Sequence, residues 1–176
     1  YITMNIPKID LVIYHKNCQD GLASAYLVKR HNGSYYPMEL YGTNPGKQER
    51  KLPDVTGKNV MIVDISFNKE TMEQLYDDAK FLICLDHHTS AKKELDGLPF
   101  CVFDMSRSAC QIVWDILFSS SPRPNYIDFI AGRDLWDFSM PDCKAFSTGF
   151  FRKLMAANYK TDLEKFRFFD DFHDSN

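Results

Sequence analysis

Short, β-rich apolar runs that each stop abruptly at a polar residue constrain this chain more than any other feature. Leu11-Val12-Ile13-Tyr14 runs into His15, Val60-Met61-Ile62-Val63 into Asp64, Phe81 to Leu85 into Asp86, and Phe100 to Phe103 into Asp104. An apolar run without alternation suits a strand buried on both faces, and such strands belong to parallel sheets covered by helices. Helical spacing appears between the runs. Leu22, Ala25, Tyr26 and Val28 follow the first run and end at Asn32-Gly33. Met72, Leu75, Tyr76 and Ala79 follow Asn68, a residue suited to capping a helix, and Ala109, Ile112, Val113, Ile116 and Leu117 follow Ser106 or Ser108. With Tyr35 to Tyr41 as a further strand, the pattern predicts a doubly wound α/β fold: a mainly parallel sheet of about five strands flanked by helices. Such sheets bind ligands beyond the carboxyl ends of their strands, where the polar residues stand.

Length and charge narrow the classes. At 176 residues, 44% of them hydrophobic, there is material for one compact α/β domain and a small appendage. The stretch from Gly42 to Gly57 reads as a loop whose Lys47, Arg50 and Lys51 are solvated. Near the end, Thr161-Asp162-Leu163-Glu164 has capping-box form and opens a helix carrying Leu163, Phe166 and Phe169. The cluster Phe166, Phe168, Phe169 and Phe172 reads as a face for a partner domain or a second subunit. Lys and Arg number 21 against 24 Asp and Glu, so no overall field draws the chain to nucleic acid or membrane, and a phosphate-bearing ligand has to be captured locally. No run approaches the ~20 apolar residues of a membrane span, and Tyr1 to Leu11 lacks signal-peptide form, so the expected location is cytoplasmic. The five cysteines are an odd number without C-x-x-C spacing, which argues against a disulfide framework or a structural zinc and for reduced thiols.

Four polar clusters carry the chemistry: His15-Lys16-Asn17-Cys18-Gln19-Asp20-Gly21, Asp64 in Val63-Asp64-Ile65-Ser66, Asp86-His87-His88, and Asp134 in Gly132-Arg133-Asp134. Histidine with carboxylate is a ligand set for divalent transition metals, the oxygens drawing Mn or Mg and the imidazoles Mn, Zn or Fe. Gathered at one sheet edge, the clusters build a site that none supplies alone. Arg107 reads equally as a clamp on phosphate oxygens or as half of an ion pair, and Arg133 leans toward the structural reading. Ser106 and Ser108 stand where helix N-terminal amides receive phosphate. Trp136 and Phe138 read as core side chains, with base stacking as the alternative.

In these motifs the chain resembles the DHH phosphoesterase superfamily, which takes in RecJ-type exonucleases, nanoRNA phosphatases, cyclic-dinucleotide phosphodiesterases, exopolyphosphatases and type II inorganic pyrophosphatases. The resemblance runs from about Ile13 to Phe138. It rests on Asp86-His87-His88 after an apolar strand, together with the upstream His15...Asp20-Gly21 and Val63-Asp64-Ile65-Ser66 and the downstream Arg133-Asp134-Leu135-Trp136. It implies a Mn-dependent phosphohydrolase or phosphodiesterase acting on phosphodiester or phosphoanhydride bonds, with short oligonucleotides or related nucleotides as the leading substrates. It also implies two divalent cations, Mn preferred and Mg, Fe, Co or Zn as alternatives. His15 would then bind the first ion, Asp20, His87 and Asp134 the second, and Asp64 both. His88 would face the substrate phosphate and Asp86 would orient an imidazole, so Asp64, Asp86 and His88 are the catalytic candidates and Arg107, Ser106, Ser108 and Arg133 the substrate-binding ones.

Cys18 stands where many relatives carry an aspartate. As a metal ligand its thiolate would shift preference from Mg toward Mn, Fe or Zn. The resemblance divides the chain into a catalytic domain, residues 1–140, and a helical segment, 141–176, leading toward a separate substrate-binding domain. The partners it implies are a phosphate-containing small molecule or short single-stranded nucleic acid, with a homodimer or a C-terminal partner domain and no membrane. Three rivals stand beside this reading: a non-catalytic binding module of the same fold, a polyphosphate or pyrophosphate hydrolase, and a dinucleotide-binding domain, which lacks its G-x-G-x-x-G turn.

Overall fold

The computed structural model describes residues 5–46, 51–157 and 159–174. Strands β1 (Leu11–His15), β2 (Glu39–Thr43), β3 (Asn59–Val63), β4 (Phe81–Asp86) and β5 (Cys101–Phe103) form an all-parallel sheet in the order β2-β1-β3-β4-β5. The helices are α1 (Gln19–Asn32), α2 (Lys69–Asp78), α3 (Thr89–Leu95), α4 (Ala109–Leu117), α5 (Asn125–Asp134), α6 (Cys143–Ala156) and α7 (Asp162–Asp174). Alternate strand residues serve opposite faces. Val12, Tyr14, Met61, Val63, Ile83 and Leu85 join a core with α1 and α4 to α7, while Leu11, Ile13, Val60, Ile62, Leu82 and Cys84 join a second with Met72 and Leu75 of α2 and Leu95 of α3. Cover on both faces explains why the strands are uniformly apolar. The order reverses between β1 and β3, and the crevice above that switch point is where this architecture receives ligands.

The fold class expected from sequence is the one found, but several elements shift. The second strand runs from Glu39 to Thr43 rather than from Tyr35 to Tyr41. Pro37 donates no ladder hydrogen bond, and Tyr35 is 99% exposed, so pairing begins after them. Lys47 and Arg50 lie outside the described residues. Helix α5 continues past Gly132 to Asp134. A Cβ on Gly132 would lie 2.4 Å from Cys143 Sγ and 2.7 Å from Asp137 O, so this glycine allows close packing within the helix. Helices α3 and α6 add to the expected set. Trp136 is 78% exposed, at φ 55°, and is no core residue; the chain turns outward directly after α5.

Residues 141–157 and 159–174 fold back onto the sheet's larger core. Phe166 and Phe169 are buried there with Phe150 and Leu154, and Phe169 stacks on Tyr26 with ring centroids 5.2 Å apart. Tyr14 donates to Asp162, and Tyr26 donates to Asp170 at 2.7 Å, fastening both ends of α7. The apolar side of the aromatic tail is thus covered by this chain's own α1 and α6, which corrects its reading as a face for a partner.

Candidate metal centre

Helix α1 starts almost on top of β1, which gathers the first residues of the site. A Cβ on Gly21 would sit 2.1 Å from His15 O, so only glycine lets the helix begin this close. The result places Cys18 at the helix N-cap and Asp20 in its first turn, 1% exposed, beside His15 at the end of β1. Across the switch point, β3 ends at Val63 and is followed by Asp64, whose backbone adopts φ 60° while its amide donates to Leu85 O at 3.0 Å. Left-handed backbone costs a non-glycine residue roughly 1–2 kcal/mol, and such strain gathers where side-chain aim matters.

That aim puts the Asp64 carboxylate between two ligand groups. Its Oδ2 lies 3.4 Å from His15 Nδ1 and accepts from Cys18 Sγ at 3.3 Å. Its Oδ1 lies 3.1 Å from His87 Nε2, which in turn is 3.3 Å from Asp20 Oδ2 and 3.4 Å from Asp134 Oδ2. The sets His15-Cys18-Asp64 and Asp20-His87-Asp134 each bring their ligand atoms within 4.8 Å of one another, as does Asp64-Asp86-His87-His88. Acidic and histidine groups therefore stand close enough to hold a divalent metal ion.

The donor set fits such an ion. His15 Nδ1 is buried and makes no hydrogen bond among the described residues, its nearest partner being the Asp64 oxygen at ion-pair distance. Without an ion the protein balances the carboxylates with a proton. Burial disfavours an imidazolium at His87, but the hydrogen bonds to Asp20 and Asp64 override it and draw its pKa up to about 10. Burial would likewise raise Asp64, yet contacts with His15 and His87 hold it down to about 2. Asp134, at the open side, is pushed up to about 7 by burial and then by the charges of Asp20 and Asp64. Burial and then Asp64 hold the Cys18 thiol well above its ordinary value, so metal binding there must displace its proton. Three acids competing for one imidazolium have the charge pattern that a cation completes.

A second layer fixes this one. Asp86, fully buried, accepts from Ser66 Oγ at 3.1 Å and from His87 N at 2.8 Å, and its Oδ1 lies 2.6 Å from His88 Nδ1. Asp20 accepts from the backbone amides of Ala109 and Cys110, at 2.9 and 2.8 Å, so the N-terminus of α4 grips a ligand. This corrects the expectation at Ser108, since the amides it was to offer a phosphate are taken; Ser108 instead caps α4, its amide donating to Gln111. Ser106 bonds back to Asp104, and Arg107 pairs with Asp104 at 2.7 Å and Asp115 at 2.9 Å, the structural alternative weighed for it. Arg133 remains beside the site, its guanidinium 5.3 Å from the centre of the Phe151 ring. Sequence reading missed the two α4 amides, for which no local signal exists 89 residues from Asp20, and Gln19, whose buried amide makes no hydrogen bond among the described residues.

No protein-family model matches the chain. An uncharacterized protein of Acanthamoeba polyphaga mimivirus is 27% identical over 175 residues, covering 92% of this chain and 42% of that protein. The crystal structure of an uncharacterized protein from Helicobacter pylori G27 matches with a TM-score of 0.59 at 18% identity, over 74% of this chain and 45% of that one. The second likeness concerns the fold. The chain spans less than half the length of either protein. Among the described residues no helix is long and apolar enough to cross a membrane.

Proposed function

We propose that this chain carries the catalytic centre of a two-metal phosphoesterase, hydrolysing phosphodiester or phosphoanhydride bonds, with short oligonucleotides or related nucleotides as the leading substrates. The observation that carries this reading is Asp64, whose two oxygens face different ligand sets, His15 with Cys18 and His87 with Asp20 and Asp134. The resemblance of the ordered motifs to the DHH superfamily supports it. Manganese suits a set mixing carboxylate, imidazole and one thiol. Bound here, a pair of divalent ions supplies Lewis acidity, acidifying a water and drawing charge from phosphoryl oxygens.

The chain's own groups do the positioning. Asp20 is held by the two α4 amides as an oriented carboxylate, and the left-handed turn at Asp64 fixes a second. His88 keeps Nδ1 on Asp86, which leaves Nε2 to donate to a substrate oxygen; burial opposes charge there, but the Asp86 hydrogen bond raises the imidazole pKa above its ordinary value and favours the donor form. Its side chain is 43% exposed, so a substrate reaches it.

Hydrolysis of bis(p-nitrophenyl) phosphate with added Mn²⁺ tests the proposal. Wild-type protein turns over, and Asp64→Asn, which keeps the shape and removes the charge, loses about 10³-fold, the equivalent of several kcal/mol of metal-ion stabilisation. An inactive wild type, or an Asp64→Asn variant with near-normal rates and an intact circular dichroism spectrum, overturns it.

A further inference from the structure

Next to the ligand cluster lies a cavity of about 300 Å³, lined by Gln19, Ile130, Arg133 and Phe151, with Asp20 and Asp134 forming its wall toward the metal centre. Gln19 is the unusual member. Its Oε1 and Nε2 are both buried, and neither makes a hydrogen bond among the described residues. Leaving a buried polar atom unpaired costs about 1–3 kcal/mol, and native proteins rarely tolerate it without a purpose. The side chain lines the cavity, and the terminal torsion of a glutamine is broad, so the amide can reorient to meet a ligand held there.

The chemistry of the lining narrows what can enter. A carboxamide presents a donor and an acceptor side by side, the pattern that pairs with the edge of a nucleobase. Arg133, with its guanidinium over Phe151, offers a planar cation and an aromatic ring of the kind on which bases stack. Arg133 is also the one cationic side chain among the described lining residues, and two carboxylates face it. A chain of phosphates needs more positive charge than that. The volume stands at the lower end of small-ligand sites and suits one nucleoside.

We propose that this cavity is the base subsite of the phosphoesterase centre, with Gln19 as the residue that reads the base edge. The Arg133–Phe151 pair offers one face for the ring to stack on, and the phosphate extends past Asp134 toward His88. This proposal rests on the phosphoesterase reading and adds a specificity-determining residue to it.

Calorimetric binding to the Mn²⁺-loaded chain tests it, with AMP, GMP, CMP and UMP each compared with ribose 5-phosphate, which has the same phosphate and sugar but no base. At least one nucleotide should bind tenfold or more tightly than ribose 5-phosphate, and Gln19→Met, nearly the same size without the amide, should remove that preference. Gln19→Glu, which keeps the shape and loses the donor, should also remove it and serves if the Met variant does not fold. No preference in wild type, including no binding of any of these probes, overturns the subsite, as does a preference that survives both substitutions. Wild-type hydrolysis of bis(p-nitrophenyl) phosphate, measured on the same samples, separates the two claims. Its absence beside an intact, Gln19-dependent base preference counts against phosphoester hydrolysis and leaves the base subsite standing.

Discussion

The two faces of helix α1 live under opposite rules. Toward α7, Tyr26 stacks on Phe169 and gives its hydroxyl to Asp170, so both apolar area and polar atoms are satisfied. At its N-terminus the same helix meets a buried Asp20, a thiol held protonated by burial and Asp64, a Gln19 amide with no hydrogen bond among the described residues, and a left-handed Asp64 opposite. The first region is what stability alone selects. The second keeps strain, charge conflict and unpaired atoms, which a fold retains where function demands them.

The largest effect should come from the satisfied side. Phe169→Ala empties a fully buried ring site and should cost about 3–5 kcal/mol in urea unfolding, with Mn²⁺ affinity of the folded protein unchanged. A cost below about 1 kcal/mol would show that α7 contributes little to the core, and a changed metal affinity would show that the two regions are coupled.

A smaller effect, of opposite sign, is expected at the site. Folded Asp134 takes its proton near pH 7, whereas the unfolded carboxyl takes it near 3.8. Between those values the folded state binds more protons, so stability falls as pH rises through the window. Relative to Asp134→Asn, the metal-free wild type should therefore lose on the order of 1 kcal/mol between pH 4 and 7, a figure reduced for solvent screening at this partly exposed carboxyl. Thermal melts of the two proteins across that range check it, and parallel curves would show that Asp134 is not under charge stress.

The smallest effect belongs to Trp136. An exposed aromatic at φ 55° gives up only an edge-on ring contact with Phe138, centroids 5.0 Å apart, so Trp136→Gly should stabilise by up to about 1 kcal/mol through relief of the left-handed backbone. Destabilisation would show that the ring contact with Phe138 outweighs the backbone strain.

What the sequence made legible follows the same division. Most of the strands, their mainly parallel arrangement and the polar residues at their ends could be read because each is encoded within a few residues: an apolar run, then His15, Asp64 or Asp86. The helical spacing from Leu22 to Val28 revealed α1, whose first turn reaches back to Gln19. What escaped is set by distant packing. The close contact of Gly132 with Cys143 joins two helices, and the phenylalanines of α7 read as a patch because their cover, Tyr26 and Phe150, comes from other helices. The grip of the α4 amides on Asp20 depends on a fold-level meeting that no motif announces.

Asp64 as a carboxylate shared between two metal positions is the central claim, and electron paramagnetic resonance of Mn²⁺ added to the metal-free protein tests it most directly. Two Mn²⁺ per chain should bind, the second more weakly because Cys18 must lose its proton, and the filled site should show the spin coupling of a close pair. In Asp64→Asn that coupling should vanish. A single uncoupled ion at saturation, or a coupled pair that survives Asp64→Asn, would contradict the account.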